Sequence, residues 1–358
     1  MAFEIPIARY ETREQLEAIR YQEPRPSMFL NTFFKGGDII SETETLEYDE
    51  VFEGNATARY VGPRLSVEAT EREGFQTREI HTPKCQEKRV LDSEQLLKRL
   101  PGENIYQGMT PAQRAGYFRD SDYVFCMNSI DNLREIQASE LMTKGRIDIL
   151  GRGIDAYVDY DLPLNLVLSG TDCWDAGGDV FGTLKMMSQT LRRRNYNPNM
   201  VLKTSKVMDV LMKDPTYREM LDNLRMEMGQ IAPGPITDVF ETAQYFGKIK
   251  WPDIGHLDIY TYDGTYKQWN EATQEYVEGP YLDEGRLLML TNEAAQNKFI
   301  HGLYTYMDEN HNFVSDAGRY IPEWMGDREA GTLTLRVTSR PLAVPYKVDS
   351  WWTAAVLA

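Results

Sequence analysis

Side chains able to do chemistry are thinly and irregularly spread along this chain. Histidine occurs only at His81, His256, His301 and His311. No two stand at the H-x-x-x-H or H-x-x-E-H spacing that sets two imidazoles on one helix face to hold a metal. Each reads as a surface or turn histidine. Asp155, Asp159 and Asp161 form one group of carboxylates, and Asp172, Asp175 and Asp179 form another. Neither has the ligand positions and closing glutamate of a calcium loop, so capping and turn roles are expected. Cys85, Cys126 and Cys173 are far apart and make no C-x-x-C pair. That fits a reduced compartment, with no structural disulfide and no zinc site. There is no phosphate-binding G-x-x-x-x-G-K-S/T loop, no G-x-G-x-x-G opening a helix and no G-x-S-x-G nucleophile turn. Gly151-Arg152-Gly153 reads as a plain turn. Arg192, Arg193 and Arg194 could meet phosphate, but consecutive residues diverge around a helix, and compensation of the helix dipole is the simpler role. Tyr260, Tyr262, Tyr266 and Trp269 could stack on sugars or bases, yet alternating aromatics on a sheet usually serve packing. No cofactor, metal or catalytic residue is assigned.

The elements that would have to position a site are easier to read. The stretch 110–145 predicts one long helix. Thr110 and Gln113 have capping-box spacing, Pro111 suits the first turn, Lys144 complements the dipole and Gly145 can take a left-handed C-cap. Tyr123, Cys126, Met127, Ile130, Leu133, Ile136, Leu141 and Met142 recur at steps of three and four and mark the buried face. Asp120, Asp122, Asp131, Arg134, Glu135 and Glu140 are expected to stay in water. Such a helix would be roughly 50 Å long at 1.5 Å per residue. With strand-rich sequence on both sides, it has the character of a spine. Cys126, on its apolar stripe, reads as a core thiol.

Before the spine, a helical piece over 11–20 leads into Glu23-Pro24-Arg25-Pro26, an extended arm. The arm ends in an apolar knot that holds Phe29, Phe33 and Phe34. These rings can dock on another surface or enter this chain's own core. From 39 to about 84 the pattern is β but polar, with a charged turn at Glu71-Arg72-Glu73-Gly74 and a return strand from Phe75. The segment has too few large apolar residues for a core of its own, and an isolated two-stranded ribbon is marginal in water. It therefore reads as an excursion that a partner covers. A short helix over 91–100 follows, capped by Asp92 or Ser93. After the spine come short strands, a helix from Asp179 to about Asn195, and helical pieces near 205–213 and 216–228. Strands are expected near 200–202, 243–249, 257–262, 267–270, 276–278, 286–290 and 331–338, with turns at Asp263-Gly264 and Glu278-Gly279-Pro280. An apolar terminus carrying Trp351 and Trp352 returns to the spine.

The chain has 358 residues, enough for two or three domains, and a formal net charge of −16. That charge excludes a diffuse basic footprint for nucleic acid and makes sequence-specific DNA binding a poor reading. No run of about 18 apolar residues offers a membrane span. Residues 1–10 do not read as a signal peptide. A spine, a prolined arm and a projecting ribbon without a catalytic constellation favour assembly over catalysis.

An ordered set of short motifs resembles the major capsid proteins of tailed bacteriophages, in particular the phage lambda major head protein family. It comprises Met28-Phe29-Leu30-Asn31-Thr32-Phe33-Phe34, the helix start Pro111-Ala112-x-Arg114, and its end Lys144-Gly145. Met200-Val201-Leu202 and Ser339-Arg340-Pro341-Leu342 complete it. The resemblance implies an α+β, Hong Kong 97-like capsid fold with a spine helix, an extended hairpin (the E-loop) and a mixed α/β axial domain. The implied division is an arm at 1–38, the E-loop at 39–90, and a peripheral domain at 91–195 with the spine at 110–145. An axial domain at 196–300 and peripheral return strands at 301–358 follow. It implies hexamers and pentamers of an icosahedral shell around double-stranded DNA, located in the virion capsid, with the host cytoplasm as the place of assembly. The implied partners are further copies of the chain, a separate scaffolding protein, a portal, a decoration protein, and packaged DNA without sequence-specific contact; no membrane is involved. Candidate subunit-contact residues are Phe29, Phe33, Phe34, Arg59, Arg64, Glu71, Arg72, Glu73 and Phe75. The alternatives are an encapsulin-type compartment shell and an acidic metal-dependent hydrolase.

Overall fold

A computed structural model describes residues 27–358 apart from 44, 52–56, 59, 61–74, 101–107, 216, 218–242, 252–254, 271–272, 308–311, 328 and 358. The helical pieces expected over 11–20 and 216–228 fall outside those residues, wholly or almost wholly. The expected spine is an uninterrupted helix, Pro111–Lys144. It starts as the capping box requires, with the Thr110 amide donating to Gln113 Oε1 (2.9 Å) and the Gln113 amide donating to Thr110 Oγ1 (3.3 Å). Its far end needs donors for the carbonyls that no further turn can satisfy. Gly145, at φ 70°, donates to the Leu141 carbonyl. Trp351 Nε1 donates to the Met142 carbonyl, and Arg286 Nη1 and Thr353 Oγ1 donate to that of Thr143. A side chain at position 145 would strike Leu162 at 2.5 Å and would also be strained by the positive φ.

The described residues fall into two compact units, and the boundary cuts the spine between Ser129 and Ile130. The first unit takes Gln86–Ser129 and Pro322–Val337. Its sheet runs in the order Ile321–Asp327, Thr332–Ser339, Cys85–Asp92. Leu91, Cys126, Leu335 and Val337 are buried, and Arg336 pairs with the carboxylate of Glu323. The helix expected over 91–100 is shorter, a 3-10 turn at Ser93–Leu97 capped by the Asp92 carboxylate, because strand Cys85–Asp92 takes its first two residues.

The second unit is built on a six-stranded mixed sheet. Its order is Asn165–Val167, Trp352–Ala355, Arg286–Thr291, Pro198–Lys203, Gly255–Tyr262, Ala243–Trp251. Pleating sends alternate residues to opposite faces. Leu202, Leu288, Leu290 and Trp351 enter one core with Ile136, Leu141 and Met142 of the spine. Val201, Leu287, Met289 and Trp352 enter the other with Val180, Leu184 and Leu191 of helix Val180–Arg193 and Val207 and Leu211 of helix Ser205–Lys213. The Asp179 carboxylate accepts the Gly182 amide and caps the first of these helices. The expected Glu278-Gly279-Pro280 turn is instead the end of strand Glu275–Pro280, where Gly279 faces Tyr266 and Pro280 faces Thr265.

The expectation that Asp131, Arg134 and Glu135 stay in water is overturned. All three are buried, Glu135 completely. Their partners come from distant segments. Arg134 holds Asp131 (3.2 Å) and Asp38 (2.7 Å), while Arg319 and the Tyr320 hydroxyl donate to Asp131 at 2.7 and 2.6 Å. The Glu135 carboxylate accepts the amides of Phe29 (2.7 Å) and Leu30 (2.9 Å). It thereby caps the short helix Met28–Phe33, whose own N-cap residue Ser27 makes no side-chain cap bond.

Candidate functional site

Among the described residues, several hairpins of the second unit form two-stranded sheets of their own. The ribbon Thr45–Val51/Phe75–His81 is antiparallel, with Thr45 facing His81 and Val51 facing Phe75. Strand Asp38–Ile40 lies parallel to Lys298–His301 and carries the outgoing leg. Its Asp38 carboxyl is partly exposed. Burial would raise its pKa, but a bond from His301 and the charges of Arg134, His301 and Arg319 pull it below the usual carboxylate range. The return leg is clamped by Arg340, which donates twice to the Thr82 carbonyl (3.2 and 2.9 Å) and once to that of Leu303 (2.9 Å). Leu46 and Ile80 pack on the core, and Arg78 reaches Asp161 at 2.8 Å. The root of the ribbon is therefore tied by guanidinium groups at both legs.

The three arm phenylalanines lie in this chain's own core, one of the two readings open in the sequence. Phe29, Phe33 and Phe34 are buried there, and Phe29 meets Phe33 and Tyr262 at centroid distances of 5.7 Å. Phe34 lies 4.7 Å from Phe299. Phe75 opens the return strand opposite Val51. Arg59, Arg64, Glu71, Arg72 and Glu73 lie outside the described residues.

Other chemical candidates have structural partners or covers. His301, expected at the surface, is fully buried 3.4 Å from Asp38. Cys126 and Cys173 are buried. Burial pushes the Cys126 thiol up to about 11 and that of Cys85 up to about 12, so neither offers a thiolate at neutral pH. Arg194 lies 3.8 Å from Asp349. Among the described residues, no three His, Cys, Asp or Glu side chains are grouped to hold a metal, and no helix is long and apolar enough to cross a membrane. Sequence reading missed Lys203. It is fully buried, its amine contacts Met208 Sδ, and burial lowers its pKa to about 7 against the pull of Asp263 and Asp209. A lysine in a strand flanked by Leu202 and Thr204 gives no sign of this, because the cover comes from other segments.

Layered cores, a tied ribbon root and two-stranded hairpins with exposed apolar side chains such as Leu150, Tyr276 and Phe313 suit a structural protein that works through its surfaces. Comparison with known families agrees. Residues 11–356 match the family described as phage major capsid protein E, and the chain belongs to that family. It is similar to the major capsid protein of Escherichia phage lambda, with 21% identity over 364 residues covering 96% of this chain and 98% of that protein. The major capsid protein of Enterobacteria phage P21 is 22% identical over 339 residues, covering 94% and 95% of the two chains. In fold, the chain is similar to the crystal structure of a putative capsid protein of a prophage from E. coli CFT073. That TM-score is 0.60 at 16% identity, covering 92% of this chain and 93% of the other. The protein is a major capsid protein of tailed-phage type, self-assembling, located in the virion capsid, and not an enzyme.

Proposed function

We propose that this chain adopts the Hong Kong 97-like arrangement and builds an icosahedral shell of hexamers and pentamers around double-stranded DNA. The division into arm (1–38), E-loop (39–90), peripheral (91–195 and 301–358) and axial (196–300) segments belongs to this reading. The observation that carries it is family membership over residues 11–356. The ribbon supports it physically. Two strands that, among the described residues, share a ladder only with each other are marginal alone, so a neighbouring copy that covers them supplies the missing contacts. Arg59, Arg64, Glu71, Arg72 and Glu73, which in the sequence fall between the two strands, and Phe75 at the start of the return strand are the contact residues of this reading. Many weak contacts in a closed lattice then add to strong cooperative stability.

A scaffolding protein guides assembly in the host cytoplasm, a portal occupies one vertex and a decoration protein can bind outside. The net charge of −16 keeps packaged DNA from adhering to the wall, so its contact is not sequence-specific. The test is negative-stain microscopy with light scattering of the chain expressed alone and with its scaffold. Closed shells, or rings of five and six, are expected. A monodisperse monomer under both conditions refutes the reading.

A further inference from the structure

Cations gather in one part of the second unit, although the chain as a whole carries −16. Helix Val180–Arg193 ends in Arg192 and Arg193, and Arg194 follows. Three other segments are tied to this end. The Lys347 amine lies over the rings of Tyr196 (5.8 Å) and Tyr346 (5.7 Å), and the Tyr196 hydroxyl donates to Asp349 (3.0 Å). Asn199 donates to Asn292 (2.6 Å), which opens the 3-10 turn Glu293–Ala295. The Lys35 amide donates to the Ala295 carbonyl (3.0 Å) and the Tyr346 amide to Asn297 Oδ1 (3.0 Å), with Lys298 next in the chain. These segments carry Lys35, Arg192, Arg193, Arg194, Lys298 and Lys347 against Glu293 and Asp349; the next carboxylate, Asp38, is turned to Arg134 and His301. Asp349 is already engaged by Tyr196 and, at 3.8 Å, by Arg194. Lys35, Arg193, Lys298 and Lys347 make no ion pair among the described residues, and all but the partly buried Lys298 are exposed.

We infer that this patch is where the shell touches nucleic acid, binding the phosphates of duplex DNA without regard to sequence. The inference rests on the reading of an enclosed genome and goes beyond it by naming the surface. A helix C-terminus carries about half a negative charge, so one cation compensates it; three arginines, with lysines supplied by other segments, leave a surplus. Duplex DNA presents a negative charge every ~1.7 Å of its axis and no cations. A second copy of this chain presents 39 Lys and Arg interspersed with 55 Asp and Glu, and so answers a run of cations less well. Composition points the same way. The centres of protein interfaces are depleted in charge, whereas the exposed large apolar side chain of this patch is that of Tyr346. The exposed amides of Asn195 and Gln296 add neutral donors of the kind that meet phosphate oxygens. The wall as a whole repels DNA, and contact is confined to this patch.

The experiment uses the full chain and a fluorescently labelled DNA duplex of arbitrary sequence. It compares wild type, the double variant Arg193→Gln with Lys347→Gln, and the double variant Lys88→Gln with Lys213→Gln, an equal loss of charge at exposed residues elsewhere. Binding is read by anisotropy across a salt series, assembly by sedimentation velocity and folding by the melting temperature. Each phosphate contact adds about 0.9 to the steepness with which log K falls against log salt. The patch variant should therefore lose about 1.8 from that slope and bind about sixtyfold more weakly at ~0.1 M salt, with melting and assembly as in wild type. The Lys88 and Lys213 pair should bind as wild type does. A wild-type chain that shells normally but does not bind the duplex overturns the inference and leaves the capsid reading intact, as does unchanged binding by the patch variant. Equal weakening in both variants also overturns it, since net charge alone would then be responsible. A patch variant that keeps DNA affinity but loses assembly overturns it in favour of an acidic protein partner. A wild-type chain that never assembles overturns the capsid reading, and with it the inference.

Discussion

Replacing Glu135 by alanine removes the carboxylate that caps the start of helix Met28–Phe33. The two amides it accepts, Phe29 at 2.7 Å and Leu30 at 2.9 Å, are buried or nearly so. Hydrogen bonds to a charged group contribute about 1.5–3 kcal/mol each, and an amide left buried without an acceptor forfeits its hydration as well. Favourable placement of a carboxylate at a helix N-terminus is included in that range. The expected cost is therefore about 3–5 kcal/mol, a large part of a typical total of about 5–15. Glu135→Gln keeps shape and one acceptor oxygen and should lose about half as much. Two assays separate this from general damage. Thermal or denaturant unfolding gives the total, and hydrogen exchange at the Phe29 and Leu30 amides reads the cap directly. The alanine variant should speed exchange at those amides before global unfolding, and should free the neighbouring Phe33 and Phe34 rings from the core. A cost below about 1 kcal/mol, with unchanged protection of both amides, would refute the reasoning.

The remaining predictions concern charges and the ribbon root. Lys203→Met should stabilise the protein by roughly 4 kcal/mol at neutral pH, since the buried amine titrates near 7 and not at 10.5. The unfolded chain binds the extra proton between those values, so wild-type stability should rise with pH across that window. Denaturant titrations at several pH values should show that slope reduced in the variant. Asp131 is held below the usual carboxylate range: burial opposes this, but bonds from Tyr320 and Arg319 and the charges of Arg319 and Arg134 outweigh it. Its contribution should be present above about pH 4 and lost as pH falls through the lowered folded value. Asp131→Asn should therefore cost about 3–5 kcal/mol at neutral pH, with the two stability curves converging in acid. Arg340→Ala removes the three bonds to Thr82 and Leu303 and should leave the cores intact while loosening the return leg. Limited proteolysis should then cut within 41–84 faster, with melting lowered by only a few degrees.

Local chemistry was legible wherever the deciding neighbours lie within a few residues. The capping box at Thr110 and Gln113, the left-handed Gly145 and the Asp179 cap all depend on close sequence neighbours, and they can be read from the residues. The family could be recognised for the same reason, since its motifs keep their order along the chain. Only tertiary structure decided which charges are buried. Period-3.6 counting placed Asp131, Arg134 and Glu135 on the wet side of the spine because their types are polar. Apart from the Asp131–Arg134 pair itself, their partners stand 96 to 189 positions away. The same holds for Lys203 and for the arm phenylalanines, which lie in this chain's core through contacts such as Phe29 with Tyr262. A charge is tolerated in the interior when compensating partners meet it, and those partners are brought together by the packing of distant segments, which no local pattern encodes.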